Sequence, residues 1–254
     1  MKKRTFIVIA TWVLGSALSC SAAAPVEDVD PVDGPEPEET AGELGATGTG
    51  TVDQAMLASC STASVRGLSL QIVDQVNCLA PNAVAEVPSR PNLTLGSATL
   101  PFMQAKARNA LTAALDANPN KTLGVNSMLR TVAQQYLLHG WYERKRCGIP
   151  LAAKPGKSNH ESGLALDTNQ YQTWKGTLKA RGFKWFGNAD KFHFDYVGSG
   201  TKDVRHLGVL AFQMLWNANN PADAIDEDGD FGPATAARLG KSPAAGFPIG
   251  ASCQ

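Results

Sequence analysis

Histidine is scarce in this chain, four residues in 254, and no two cysteines stand in a C-x-x-C pair. The missing pair argues against a thiolate metal clip. There is no G-x-S-x-G segment and no S-x-x-K followed by K-T-G, so the familiar serine-nucleophile layouts find no support. The amino-terminal apolar run, Phe6 to about Ala17, falls short of the ~20 residues a membrane-spanning helix needs. Residues 21 to 65 contain no Lys or Arg but hold nine acids. The zero formal charge of the whole chain therefore hides an uneven distribution. Setting aside those nine acids and the bases Lys2, Lys3 and Arg4 leaves 14 acids against 20 bases, a net charge of +6 over the rest. Such a balance fits attraction to an anionic surface such as cell wall and equally fits ordinary solvation.

The three bases followed by a short apolar run read as an export signal over residues 1–20, placing the protein in the periplasm or cell envelope. Leu18-Ser19-Cys20 resembles a lipoprotein cleavage site, although Ala17 stands where a larger aliphatic residue is usual. A lipid anchor to the membrane at Cys20, and cleavage at a small-residue site without lipidation, both stay open. Residues 21–50 are rich in Pro, Gly, Ala, Thr and acids and read as an extended tether. With Cys20 set aside, Cys60, Cys78, Cys147 and Cys253 remain. An even number in an oxidising compartment predicts two disulfides. Three connectivities are allowed, of which the local bridge Cys60–Cys78 with Cys147–Cys253 is preferred.

The remaining ~200 residues are enough for one cored domain and a small appendage. A helical pattern begins at Pro101 and stops at Asn118-Pro119, and a second helix runs from Thr131 to about Arg146. Short strands at 122–127, 164–168 and 192–197 complete an α+β fold, in which a small antiparallel sheet with flanking helices occupies residues 51–200. The apolar stretch from Val65 to Leu79 is expected to pack on this core, tied down through Cys78. From 201 to 254 the character changes to a helix over Asp203–Asn217, the phrase DGDFGPAT, and a short helix at Ala236–Leu239.

Two segments carry the chemistry. The first, SNHESGLALD, holds His160 and Asp167 on either side of the turn signal Ser162-Gly163, and its alternation buries Leu164 and Leu166 with Asp167 on the other face. The second, DKFHFDY, puts Phe192, Phe194 and Tyr196 on one face and His193 and Asp195 on the other, with Asp190 three residues before His193. Two imidazoles and a carboxylate are the ligand set of a catalytic zinc site that keeps one position open. Asp190 could then serve as general base toward a water activated at the metal. Taken singly, a histidine seven residues from an aspartate is more often a structural hydrogen-bonded pair, and Asp190 a turn residue. Two of only four histidines falling in these segments shifts the balance, while His139 and His206 lie in helical stretches and read as ordinary.

The pattern Ser-x-His-x-x-Gly-x-Ala-x-Asp at Ser158, His160, Gly163, Ala165 and Asp167, followed by acid-x-x-His at Asp190 and His193, resembles the zinc D-alanyl-D-alanine carboxypeptidase family that includes VanY-like enzymes. The resemblance implies one zinc ion held by His160, Asp167 and His193, with Asp190 as base. Many members carry Glu there, and Asp is one methylene shorter. Asn126 to Thr131 followed by Gln135 is similar to the family's strand-to-helix segment. It implies substrate contacts from Arg130 and Gln135, Arg130 gripping a terminal carboxylate or a carbonyl near the scissile bond. A salt bridge at a helix start is the plainer alternative for Arg130. Ser158 either bonds substrate or caps the turn.

The activity implied is metal-assisted hydrolysis of peptidoglycan stem peptides, most simply removal of a terminal D-alanine, without a covalent intermediate and without a nucleic-acid partner. A peptidoglycan endopeptidase with the same metal set, and a wall-binding lipoprotein without catalysis, are the alternatives. Residues 201–254 look like a fragment of the small helical peptidoglycan-binding module. Asp226, Asp228 and Asp230 do not follow the EF-hand pattern, because Gly229 falls fourth and no Glu stands at the twelfth place, so the segment reads as a structural turn.

Overall fold

The first helix opens on a reciprocal cap: Thr51 Oγ1 accepts the N–H of Gln54, and the Gln54 side chain returns to the N–H of Thr51. A computed structural model of the chain describes residues 50–253. The export signal of 1–20, Cys20 and the tether up to residue 49 lie outside the described residues.

In chain order the helices are α1 (Val52–Ala58), α2 (Arg66–Leu79), α3 (Ala105–Asp116), α4 (Val132–Glu143), α5 (Tyr171–Lys179), α6 (Arg205–Asn219) and α7 (Pro233–Lys241). The strands are β1 (Ala85–Glu86), β2 (Leu93–Leu95), β3 (Phe102–Met103), β4 (Leu123–Val125), β5 (Ala165–Asp167), β6 (Phe183–Trp185) and β7 (His193–Tyr196). The α+β expectation is met by mixed helix and small sheets. A three-stranded antiparallel sheet runs β5-β7-β6, and β1 pairs antiparallel with β3. The pairing of β2 with β4 is parallel, which the sequence pattern did not suggest.

Apolar periodicity sorts the chain into two main cores. Leu68, Ile72 and Val76 repeat every fourth residue along α2 and meet Val209, Phe212, Leu215 and Trp216 of α6. The same core takes Val52 and Met56 of α1, Leu137 and Trp141 of α4, and Leu239 of α7. The helices of the 201–254 segment are thus packed into one core with α1, α2 and α4. The second core gathers Leu111 and Leu115 of α3, Trp174 and Leu178 of α5, and Leu166, Phe183 and Phe194 from the antiparallel sheet. Alternation along β5, β6 and β7 sends one face of that sheet into this core. Ala165, Asp167, His193 and Asp195 are left on the other face.

Several expectations need correction. The disulfides are Cys60–Cys147 and Cys78–Cys253, with Cα–Cα distances of 5.3 and 4.6 Å, rather than Cys60–Cys78 and Cys147–Cys253. Cys60 follows α1, which lies beside α4, so the nearest thiol is the one just past the end of α4. Cys78 at the end of α2 meets the chain terminus, which Gln75 holds through Ser252 N–H and C=O. These bridges span 87 and 175 residues. In the loop-entropy account such long loops stabilise by about 5 kcal/mol each, against about 3 kcal/mol for a local bridge.

Pro101 does not start a helix. Its carbonyl accepts from Val87 N–H, Phe102 and Met103 form β3, and the helix begins at Ala105. The second helix stops at Glu143 because the backbone turns left-handed at Lys145 (φ 51°) and Cys147 (φ 56°) on the way to the disulfide. In the DGDFGPAT phrase, Gln213 of α6 accepts from Gly229 N–H and donates to Asp228 and Thr235, while Asp228 also accepts from Asp230 N–H. A structural turn accounts for all of these contacts.

Two helical glycines predict opposite outcomes. A Cβ on Gly67 of α2 would run into the backbone carbonyl of Ala245, whereas one on the exposed Gly176 of α5 meets nothing within 4 Å. Thermal unfolding should show Gly176→Ala more stable than wild type by roughly 0.5–1 kcal/mol. Gly67→Ala should be less stable by about 1–3 kcal/mol.

Candidate metal centre

The antiparallel register of β5 and β7 sets Asp167 opposite His193, so the two side chains leave the sheet on the same face. Asp167 is further fixed through its backbone: its N–H donates to Ser127 O and its C=O accepts from Asn126 N–H. His160 comes from a 3-10 turn, Asn159–Ser162, whose first N–H groups are capped by Ser158 and whose Glu161 returns to Ser158 N–H. Gly163 ends that turn at φ 64°, where a Cβ would press on Val84 at 3.0 Å. Only glycine fits this left-handed, crowded position, and it brings the chain from His160 straight into β5.

Three donor atoms converge as a result. His160 Nε2 is 3.2 Å from His193 Nδ1 and 3.2 Å from Asp167 Oδ2, and His193 Nδ1 is 3.0 Å from Asp167 Oδ1. All three residues are buried, and His160, Asp167 and His193 form a group able to hold a metal ion. The far side of each ring is occupied. His160 Nδ1–H donates to Met128 O at 2.7 Å, and His193 Nε2–H donates to Asp195 Oδ1 at 2.8 Å. This leaves one nitrogen of each imidazole facing the carboxylate.

The electrostatics follow from burial and mutual contact. Burial opposes ionisation of Asp167, but the charge and hydrogen bonds of His160 and His193 outweigh it and hold the carboxyl well below its usual range. Burial likewise opposes a charge on His193, and the hydrogen bonds to Asp167 and Asp195 overcome it, pushing the imidazole up to about 10. Asp190 stands in the turn before β7 and is 6% exposed, its Oδ1 accepting from Phe192 N–H. Burial and then the Asp167 charge push its carboxyl up to about 6, against the pull of His193, Phe192 N–H and His160.

Arg130 is 1% exposed. Its guanidinium donates to Gln135 Oε1 (3.0 Å) and Ser127 Oγ (3.2 Å) and lies 3.6 Å from Asp167 Oδ2. Gln135 is fully buried and also donates to Ala153 O. Arg130 therefore pairs with the carboxylate of the candidate metal group itself. Ser158 is buried and its Oγ accepts from His160 N–H as a turn cap. His139 faces Glu143 one turn along α4, and His206 is exposed on α6. Sequence reasoning did not single out Ser127, Met128 or Asn159. Ser127 and Asn159 are small polar residues beside motif positions, and Met128 acts through its carbonyl, which no side-chain pattern announces.

Comparison of the chain with protein-family models finds none that matches, and no curated protein matches it significantly.

Metal uptake should release a proton, because a ligand nitrogen must be deprotonated to bind and His193 holds its proton up to about pH 10 without metal. Apparent Zn2+ affinity should rise with pH by about tenfold per unit from neutral pH toward that value. Calorimetry in buffers of different ionisation heats checks this. Heats that ignore the buffer would contradict it. Replacing His160 or His193 with Ala should abolish one-to-one uptake.

Proposed function

We propose that the protein is an exported zinc-dependent peptidase acting on peptidoglycan stem peptides, most simply a D-alanyl-D-alanine carboxypeptidase. The observation that carries the reading is the convergence of His160 Nε2, Asp167 and His193 Nδ1, with Asp190 close enough to feel their charges and its carboxyl raised to about 6. Zinc bonds of ~2.0–2.1 Å in tetrahedral array put neighbouring ligand atoms about 3.3 Å apart. The donor separations of 3.0–3.2 Å lie close to that edge. Two nitrogens and one oxygen also leave a fourth position for solvent or substrate. The resemblance of SNHESGLALD and DKFHFDY to the carboxypeptidase motif supplies the substrate class. Two long-range disulfides favour an oxidising compartment, and among the described residues no helix is long and apolar enough to cross a membrane.

When bound, zinc supplies Lewis-acid polarisation of a carbonyl and acidifies water. The protein's own residues do the rest. Asp190 takes a proton from the attacking water and returns it to the leaving amine, a role suited to a carboxyl held near the working pH. Arg130 braces Asp167 from 3.6 Å, and in this reading its guanidinium also meets a carbonyl or carboxylate of the substrate.

Asp190→Asn should lower kcat by about 10²–10⁴-fold while leaving zinc stoichiometry unchanged. Because Asp190 works as a base only when ionised, kcat/KM should fall as pH drops through about 6 or lower, a bound cation pulling the carboxyl down further. Mass spectrometry of digested muropeptides decides the bond: loss of one alanine supports the carboxypeptidase, and splitting of a crosslinked dimer the endopeptidase. No product with zinc-loaded protein would leave a wall-binding protein without catalysis. Arg130→Ala should cost free-ended peptides at least tenfold more than crosslinked ones. Equal losses would assign Arg130 to holding Asp167 alone.

A further inference from the structure

Asp195 is a partly buried acid to which the hydrolytic reading gives no part. It lies two residues past His193 on the same face of β7 and is paired with Ala165 of β5. Ala165 is fully buried and apolar and offers the carboxylate no partner, and Asp195 turns along its own strand to His193. Its Oδ1 stands 2.8 Å from His193 Nε2 and 3.2 Å from Asn159 Nδ2. Asn159 is the first residue of the 3-10 turn that carries His160. One carboxylate oxygen thus ties the segment of one imidazole to the ring of the other.

An imidazole can present either nitrogen, and a half-turn about its Cβ–Cγ bond puts a ring carbon where each nitrogen stood. For His160 the choice is made by the Met128 carbonyl, which takes Nδ1–H and leaves Nε2 inward. For His193 the opposite choice is needed, since Nδ1 is the atom beside Asp167 and His160. We propose that Asp195, anchored by Asn159, is the positioning residue that holds His193 with Nε2–H outward and Nδ1 toward the metal. A carboxylate on the far nitrogen of a ligating histidine fixes its tautomer and strengthens it as a donor. Phe186, edge-on to the His193 ring at 5.8 Å, offers that nitrogen no acceptor through its side chain. This inference rests on the metal reading of the same site and not on any particular substrate.

The test is Zn2+ binding by the full chain in competition with a chromophoric chelator, together with the visible spectrum of the Co2+-loaded protein. Asp195→Ala should weaken Zn2+ binding by about 10–100-fold and shift the Co2+ bands. Asp195→Asn keeps an oxygen acceptor for Nε2–H, so it should recover most of the affinity and the wild-type spectrum. Asn159→Ala should move affinity a few-fold in the same direction as Asp195→Ala. Asp195→Ala binding within twofold of wild type, with an unchanged spectrum, overturns the assignment. If Asp195→Ala does not fold, Asn159→Ala decides: unchanged affinity and spectrum overturn the assignment, and a weakened, shifted site supports it. Wild-type protein that takes up no Zn2+ would instead sink the metal reading itself, whereas tight Zn2+ binding without peptidase activity would leave this inference standing and remove only the hydrolytic one.

Discussion

A charged carboxylate, that of Asp167, is sealed inside this protein, and the surrounding structure is organised around keeping it charged. Residue 167 is 4% exposed, and an isolated ion there would be strongly disfavoured. Two imidazoles and a guanidinium meet its oxygens, and its own backbone is held on both sides by the segment at 126–127. Each partner is in turn fixed: His160 by the Met128 carbonyl, His193 by Asp195, Arg130 by Ser127 and Gln135. A buried network satisfied to this degree is rigid. Rigidity at that point is what a divalent ion requires of its ligands.

The frame outside the network explains how such an arrangement is tolerated. The antiparallel sheet packs its apolar face on α3 and α5, which leaves the other face to carry the buried Ala165, Asp167 and His193 and the partly buried Asp195. The helical core of α1, α2, α4, α6 and α7 positions the segment that leads into Arg130 and α4. Cys60–Cys147 joins the ends of α1 and α4, and Cys78–Cys253 joins α2 to the chain end, so both bridges brace this helical core. With α6 and α7 inside that core, the C-terminal segment contributes directly to the packing that supports the site.

Legibility followed the range of the interactions. The strands holding Asp167 and His193 announced themselves through two-residue alternation, and the turn at Gly163 through its Ser-Gly signal, because those causes act within a few residues. The helix beginning at Thr131 was visible for the same reason, its cap and its apolar repeat being local. Its end at Glu143 is less legible, because the left-handed turn at Lys145 and Cys147 leads to a disulfide with a residue far back in the chain. The strand at Phe102 is hidden from any local pattern, because its partners Glu86 and Val87 lie fifteen residues or more upstream. Alternation puts Asp195 on the same face as His193, yet the bond that ties it to Asn159 comes from a turn thirty-six residues away in the chain.

By itself the sequence determined which residues could take part: two histidines, an aspartate and a neighbouring acid, set in strand and turn patterns that local sterics and burial enforce. It also determined that four cysteines remained to pair once Cys20 is set aside. Only the tertiary structure decided that the two histidines offer opposite nitrogens, that Arg130 closes on Asp167, and that the disulfides run 60–147 and 78–253. Those outcomes depend on contacts between segments far apart in the chain, and long-range contacts are set by how two cores pack together, which no short stretch of residues encodes.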